Sequence, residues 1–410
     1  MMTAPLFFAL SCIGLVFSVM TLFRVRLIPQ LTVPTFVIGW LRGELALQTI
    51  AVEALVTLGF WRAGAFETGL GGVGFGLTLV SWSMLVLAHR RSMNAGTAIA
   101  PELASMGIVI DSHVSPFHGF WAPFSFKHPD VRTIRNLEYG EVLPRDKGGR
   151  NRLDIVAPTT AERGDRRPVL LQVHGGGWII GDKREQAKPL MTALARRGWI
   201  CVTTNYRLSP KATMPDHIVD VKRAIAWIRG HIEEYGGDPD FLCITGGSAG
   251  GHLSSLAALT ANDPRFQPGF EDIDTTIDAC VPFYGVFDFL DRADDRPLGK
   301  MSDLIGPMVF KCTPEENPEL WDSVSPITRV HSNAPPFFVL QGSHDSLVFA
   351  EEAVRFVSAL REKSLEPVLH AELPGAQHAF EIFHSPRTEH AVRGVVGFLE
   401  KIHADRENPG

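Results

Sequence analysis

Gly246-Gly247-Ser248-Ala249-Gly250-Gly251 lies between an apolar run, Phe241–Thr245, that predicts a strand and a run, Ala249–Ala261, that predicts a helix. A G-x-S-x-G at a strand-to-helix junction forms a tight elbow. Small residues beside the serine permit the strained backbone that lifts its hydroxyl off the end of a sheet. In a chain with 38 glycines the pentapeptide alone is equally a glycine-rich turn with Ser248 as a helix N-cap. The strand before it and the helix after it favour the elbow.

Working outward, short apolar runs alternate with amphipathic ones. Strands are predicted at Asn136–Leu143, Arg152–Val156, Val169–Val173, Trp199–Thr204, Ala279–Phe283, Pro336–Leu340 and Val368–Leu373. Helices are predicted at Glu185–Arg197, Asp216–Glu234, Ala350–Glu362 and Thr388–His403. This alternation implies βαβ units and an α/β fold with a mostly parallel sheet. Between Tyr284 and Pro335 the rhythm breaks into a proline-rich and acidic stretch, read as a lid-like insertion over 285–335.

His174-Gly175-Gly176-Gly177-Trp178 follows the strand Val169–Val173 directly. Acyl transfer develops an oxyanion that needs backbone N–H donors, and glycines let the backbone approach it. The candidate donors are the amides of Gly176 and Gly177, with Ala249 after the nucleophile; Gly175 shapes the turn and His174 is structural. A serine nucleophile needs a base and the base an orienting acid, in the chain order Ser, Asp, His. Asp345, in Gln341-Gly342-Ser343-His344-Asp345-Ser346, follows Pro336–Leu340; His378, in Pro374-Gly375-Ala376-Gln377-His378, follows Val368–Leu373. Both leave the carboxyl ends of predicted parallel strands, where open α/β sheets place their ligands. The rivals fit less well: His344 precedes the acid, His370 falls within a strand, His384 and His390 come late, and Asp288 and Asp291 follow one strand too early.

The first 91 residues differ in kind. Leu6–Phe23 and Gly69–Ala88 carry no charge, and Leu45–Trp61 carries only Glu53. About 18 apolar residues suffice to cross a bilayer core, so residues 1–91 are read as a membrane region of about three transmembrane helices. Leu27–Leu41, broken by Pro29 and Pro34, is read as interfacial or a partial span. Arg24, Arg26, Arg42, Arg90 and Arg91 fall on one side and Arg62 on the other, which turns the C-terminal domain toward the cytoplasm. Gly69-Leu70-Gly71-Gly72-Val73-Gly74 fits a dinucleotide fingerprint but follows no strand, so that reading is rejected. Gly72 and Gly76 fit the G-x-x-x-G of closely packed membrane helices. Glu53 within a span needs a partner or the neutral state.

The remaining composition excludes classes. A net charge of −6 over 410 residues argues against a nucleic-acid partner. Five scattered cysteines, Cys12, Cys201, Cys243, Cys280 and Cys312, make neither a disulfide framework nor a zinc site.

With these residues in hand, HGGGW at 174–178, GGSAGG at 246–251, Asp345 and His378 resemble the α/β-hydrolase fold. Within it they resemble the hormone-sensitive-lipase-type esterases and related bacterial carboxylesterases. Asn205-Tyr206-Arg207-Leu208-Ser209-Pro210 is similar to that group's D-Y-R-L-A-P segment. The resemblance covers roughly residues 135–403. It implies a Ser248–Asp345–His378 triad and a covalent acyl-enzyme, with no metal or organic cofactor.

Two departures, Gly247 where the group commonly has Asp and Asp345-Ser346-Leu347 where it often has D-P-L, leave the substrate open. Amidases, aryl formamidases and prenylcysteine methylesterases would use the same triad, and a non-catalytic ligand-binding protein could reuse the fold. The chain is thus expected to comprise a membrane region (1–91), a linker or cap segment (92–130) and a catalytic domain (131–404). The expected partners are a small-molecule or lipid ester and a membrane.

Overall fold

The computed structural model describes residues 2–24, 29–111, 113–141, 150–294 and 301–408. Five helices come first: α1 (Thr3–Leu22), α2 (Pro29–Glu44), α3 (Ala46–Arg62), α4 (Gly69–Met93) and α5 (Gly96–Ala104). Three strands follow, β1 (Val131–Glu138), β2 (Arg152–Pro158) and β3 (Arg167–Val173). Next come α6 (Lys188–Ala195), β4 (Ile200–Thr204), α7 (Asp216–His231), β5 (Gly237–Gly247), α8 (Ala249–Leu259) and β6 (Ala279–Phe283). The chain continues through α9 (Met301–Ile305), α10 (Pro318–Ser323), β7 (Phe337–Gly342), α11 (Ala350–Lys363), β8 (Val368–Leu373) and α12 (Pro386–Glu407).

The eight strands form one sheet in the order β1-β2-β4-β3-β5-β6-β7-β8. β2 pairs antiparallel with β1 and β4, and every other pairing is parallel. Every residue of β4, β6 and β7 is buried, as befits strands covered on both faces. One face packs α7, α8 and α11 through Ile218, Leu253 and Phe356, and the other packs α5, α6 and α12 through Ile99, Leu190 and Val395. Residues 92–130 thus contribute a helix to the core, with Ile99 and Leu103 fully buried.

Several predicted boundaries shift, two of them for a visible local reason. The first strand runs over Val131–Glu138 rather than Asn136–Leu143. Its register breaks between Ile134 and Leu137, where Asn136 takes φ 61° and donates its N–H to Asp154 Oδ1 at 2.8 Å. Residues 142 and 143 lie outside the described residues. The helix predicted at Glu185–Arg197 is only Lys188–Ala195: Pro189 sets its start, and Glu185 bonds the amide of Asp182 instead.

The N-terminal helices form a bundle at the end of the sheet. α1 and α4 run parallel, from Phe7 against Gly74 to Leu22 O, which accepts from Arg91 Nη1 at 2.7 Å. α3 runs the other way, from Gln48 beside Gly119 and Phe120 to Phe60 against Phe7. Thr3–Leu22 and Gly69–Ala104 are long and apolar enough to cross a membrane. Thr32–Glu44 and Ala46–Arg62, bent by 90°, make a third candidate if taken together.

Inside the bundle Glu53 is paired. It accepts from Arg42 Nη1 at 2.8 Å and from Trp82 Nε1 at 2.9 Å, and Arg42 also reaches Ser18 Oγ at 3.0 Å. The close approach of α1 to α4 falls on Gly74, not on Gly72 and Gly76. A methyl group on Gly74 would lie 3.1 Å from the Phe7 ring, whereas at Gly72 and Gly76 it would meet nothing within 4 Å. The G-x-x-x-G pair therefore faces out of this bundle.

Candidate active site

β5, β6, β7 and β8 are parallel neighbours, so their carboxyl ends emerge side by side. Ser248 follows β5, Asp345 follows β7 and His378 follows β8. Ser248 adopts φ 57° and ψ −122° and its side chain caps nothing, which disposes of the N-cap reading. Few non-glycine residues hold such a backbone unless the surroundings enforce it. Here Ser248 N–H donates to Phe283 O at 3.0 Å, and Ser248 O accepts from His252 N–H at 2.9 Å. Neighbouring chain presses on the elbow: a methyl on Gly175 would lie 2.5 Å from Gly247 O and 3.1 Å from Ser248 Cβ.

Asp345 is fully buried, and its carboxylate is spoken for on both oxygens. Oδ1 accepts the amides of Leu347 at 2.8 Å and Val348 at 2.9 Å. Oδ2 accepts Gln341 Nε2 at 3.1 Å and meets His378 Nδ1 at 2.7 Å. That set of donors holds a charged carboxylate in place. The contact at Nδ1 assigns the imidazole proton there and leaves Nε2 as the acceptor. Gln377 joins the two loops, its Oε1 accepting Ser346 N–H at 2.8 Å and His378 N–H at 2.9 Å.

The tie between the elbow and the imidazole is Tyr284. Its hydroxyl would lie 2.7 Å from a methyl on Gly247, and its ring centroid is 4.3 Å from that of His378. The hydroxyl donates to the buried carboxylate of Glu381. Burial raises the pKa of Glu381 above the ordinary carboxylate value and pushes that of the Tyr284 phenol well up.

Opposite Ser248, Gly176 (φ 120°) and Gly177 (φ 59°) turn the chain back, and Gly176 O accepts the amides of Ile179 and Ile180. Neither glycine N–H has an acceptor among the described residues. Ala249 opens α8, where a helix leaves its first amides without intrahelical acceptors. Behind this loop the 285–335 segment contributes Phe289, Phe310 and Trp321, with Trp178 ring-to-ring on Phe289 at 5.2 Å. His174 is buried, stacks on Tyr206 at 4.4 Å and is depressed to about 4 by desolvation, so it stays neutral.

The rivals sit elsewhere. Asp288 pairs with Arg292, His370 lies beside Glu102, His384 bonds Ser125 O and His390 bonds Met93 O. His344 faces Thr21 at the end of α1. Among the described residues no three His, Cys, Asp or Glu side chains form a metal-binding group.

Sequence reasoning missed Tyr284, Gln341, Gln377 and Glu381. Gln341 and Gln377 lie inside the two loops already singled out, so their proximity to Asp345 and His378 was the available signal. Tyr284 and Glu381 left none, because their meeting depends on the ends of β6 and β8, separated by β7, emerging at one edge of the sheet.

A serine elbow, a buried acid–histidine pair and a glycine loop at the carboxyl edge of a mostly parallel sheet define an α/β hydrolase. A family model described as BD-FAE matches residues 153–360, and the chain belongs to that family. It is 52% identical over 339 residues to a probable carboxylic ester hydrolase, LipM, of Mycobacterium tuberculosis, covering 79% of this chain and 78% of LipM. It is 48% identical over 265 residues to esterase LipQ of the same organism, covering 64% of this chain and 62% of LipQ. Among solved structures, a truncated carbohydrate esterase from gut microbiota superposes with a TM-score of 0.55 at 21% identity. That match covers 66% of this chain and 96% of the other, and it shows the fold.

Proposed function

We propose that this carboxylic ester hydrolase is a membrane-anchored serine esterase acting through Ser248, His378 and Asp345. The observation that carries the reading is the 2.7 Å bond between Asp345 and His378 Nδ1, set beside a serine in a strained strand-to-helix elbow. Ser248 Oγ attacks the ester carbonyl carbon while His378 Nε2 takes its proton, and Asp345 holds the proton already on Nδ1. The amides of Gly176, Gly177 and Ala249 receive the oxyanion. Collapse breaks the carbonyl–alkoxide bond, and His378 returns its proton to the departing alcohol. Water then attacks the acyl-serine, giving its proton to His378, and Ser248 leaves with that proton as the acid is released.

The anchor consists of α1, α3 and α4, with α2 lying across the end of the sheet. Arg24 and Arg91 lie at the hydrolase side of the bundle and Arg62 at the far side, a bias that supports a cytoplasm-facing catalytic domain.

Detergent-solubilised wild type, Ser248→Ala and His378→Ala, assayed on chromogenic esters, test the chemistry. Each substitution should lower kcat by roughly 10⁴-fold or more, and a fluorophosphonate should label wild type but not Ser248→Ala. Wild-type turnover in folded Ser248→Ala would sink the reading.

A further inference from the structure

One wall of this site does not come from the hydrolase domain. Phe36, in α2, meets the His378 imidazole edge-on, with ring centroids 5.7 Å apart at 85°. One helical turn on, Trp40 stacks against Phe36 at 5.6 Å and 10°. Trp40 meets Phe383 at 5.4 Å, and Phe383 meets Phe124 at 5.1 Å. A row of rings therefore joins the histidine to the surface.

Packing alone would explain a closed row, but this one ends open. Phe124 is 60% exposed, and in the same loop Phe117 is 62% and Trp121 89% exposed. The loop is held where the apolar helices leave the domain, since Gln48, at the start of α3, donates to Gly119 O and Phe120 O at 3.3 and 3.2 Å. From there α3 exposes Val52, Leu55 and Val56. Aromatic side chains favour the water–bilayer boundary, and these sit beside the start of α3, an apolar helix of the bundle.

α2 is secured over the site along its length. Glu44 pairs with buried Arg387 and accepts from Ser385 Oγ at 2.7 Å, and Gly39 lies against Gln377. The Trp40 Nε1–H is buried with no acceptor among the described residues, which leaves a donor facing no protein partner.

We propose that α2 and the 117–124 loop form the substrate-selecting wall of the site. The ester hydrolysed there is a bilayer amphiphile whose apolar chain passes along Phe124, Phe383, Trp40 and Phe36 to Ser248. This inference rests on the triad reading and adds the substrate class and the side chains that choose it.

The test uses the full chain in phosphatidylcholine vesicles with two substrates, water-soluble p-nitrophenyl butyrate and a fluorogenic palmitate ester dissolved in the bilayer. Trp121→Ser/Phe124→Ser alters only exposed positions and so should fold, while Phe36→Ala alters the wall beside His378. Both should lower the ratio of kcat/KM for palmitate over butyrate by about tenfold or more. Leu365→Ser, an exposed apolar residue after α11, should leave the ratio as it is. A ratio unchanged within twofold in the loop variant overturns the route. So does loss of self-association in that variant with the ratio intact, since the patch would then be a contact between copies. Ser248→Ala separates the two readings: if it loses both activities while the ratio stands in the loop variant, only the route fails; if it keeps both, the triad fails.

Discussion

The two halves of this chain sort their residues in opposite directions. In the sheet half, Leu170, Val202, Ile244 and Val339 are fully buried, and buried charges such as Asp345 and Asp220 have partners. In the helical half the interior holds Ser11, Ser18, Thr78, Ser81 and the Arg42–Glu53–Trp82 cluster, while Leu10, Val16, Val52, Leu55, Val73 and Val80 face outward. The first pattern is what water imposes, because removing apolar surface from it is the main driving force of folding. The second is what lipid permits: with apolar surroundings outside, small residues and interhelical hydrogen bonds hold the helices together. On the proposed reading the chain is folded against two solvents, and His378 lies where the helical half meets the sheet half.

The sharpest way to break that comparison is to remove catalysis without touching the helices. Asp345→Asn keeps the shape of the carboxylate but loses its charge and its hold on the Nδ1 tautomer. On the triad reading kcat should fall on the order of 10⁴-fold for soluble and bilayer-dissolved esters alike. Steady-state kinetics on both substrates check this, and a loss confined to one of them would mean that Asp345 acts on binding.

Polar interiors in the helical half predict the next largest effect. Arg42→Met leaves Glu53 in the bundle with Trp82 beside it, and because the pair is only partly buried the cost should fall at the lower end of the about 3–5 kcal/mol of stranding one partner of a buried pair. Arg42→Met/Glu53→Met should recover most of that loss, since an apolar pair suits an apolar exterior. Thermal unfolding in detergent compares the two. If the double variant is no more stable than the single one, Arg42 owes its place to Ser18 and Gly14 rather than to Glu53.

What the sequence made legible follows the same division. The segments proposed to carry catalysis could be read because each stands at a strand end, where a short motif meets a change of periodicity. HGGGW, GGSAGG, Asp345 and His378 all have that setting, and the parallel strands β3, β5, β7 and β8 bring their positions to one edge. The apolar runs of α1, α3 and α4 were equally plain, since length without charge is a one-dimensional property. Phe36 was not legible as a neighbour of His378, because they are 342 positions apart and meet only when the bundle docks on the sheet. Gly72 and Gly76 misled for a related reason: spacing puts two glycines on one helix face but does not say which face meets a partner.

Proton binding separates the halves at a smaller scale. His174 is depressed to about 4, and His217 and His252 to about 3, all by burial in the sheet half. Their folded values lie below the ordinary 6.5, so between about pH 6.5 and 4 the unfolded chain binds protons that the folded chain does not. Stability is therefore full above about pH 6.5 and declines as pH falls, by on the order of 3 kcal/mol per histidine near pH 4. Urea midpoints of the sheet half from pH 7 to 4 should show the slope, and His217→Gln should flatten it by one group's share. An unchanged slope would mean that His217 is protonated in the folded state.

The smallest expected effect tests which face of α4 meets lipid. At Gly74 an added methyl would crowd the Phe7 ring at 3.1 Å and Phe8 Cα at 3.2 Å, so Gly74→Ala must move α1 and should cost about 1–3 kcal/mol. At Gly72 and Gly76 the same methyl meets open space. There Gly→Ala should stabilise the detergent-solubilised protein by up to about 1 kcal/mol per site through helix propensity alone. If Gly72→Ala instead destabilises, the outward face of α4 is packed against another helix. The only source of such a helix in the purified protein is a second copy of this chain, so cross-linking at position 73 would then report a dimer where the inside-out pattern predicts lipid.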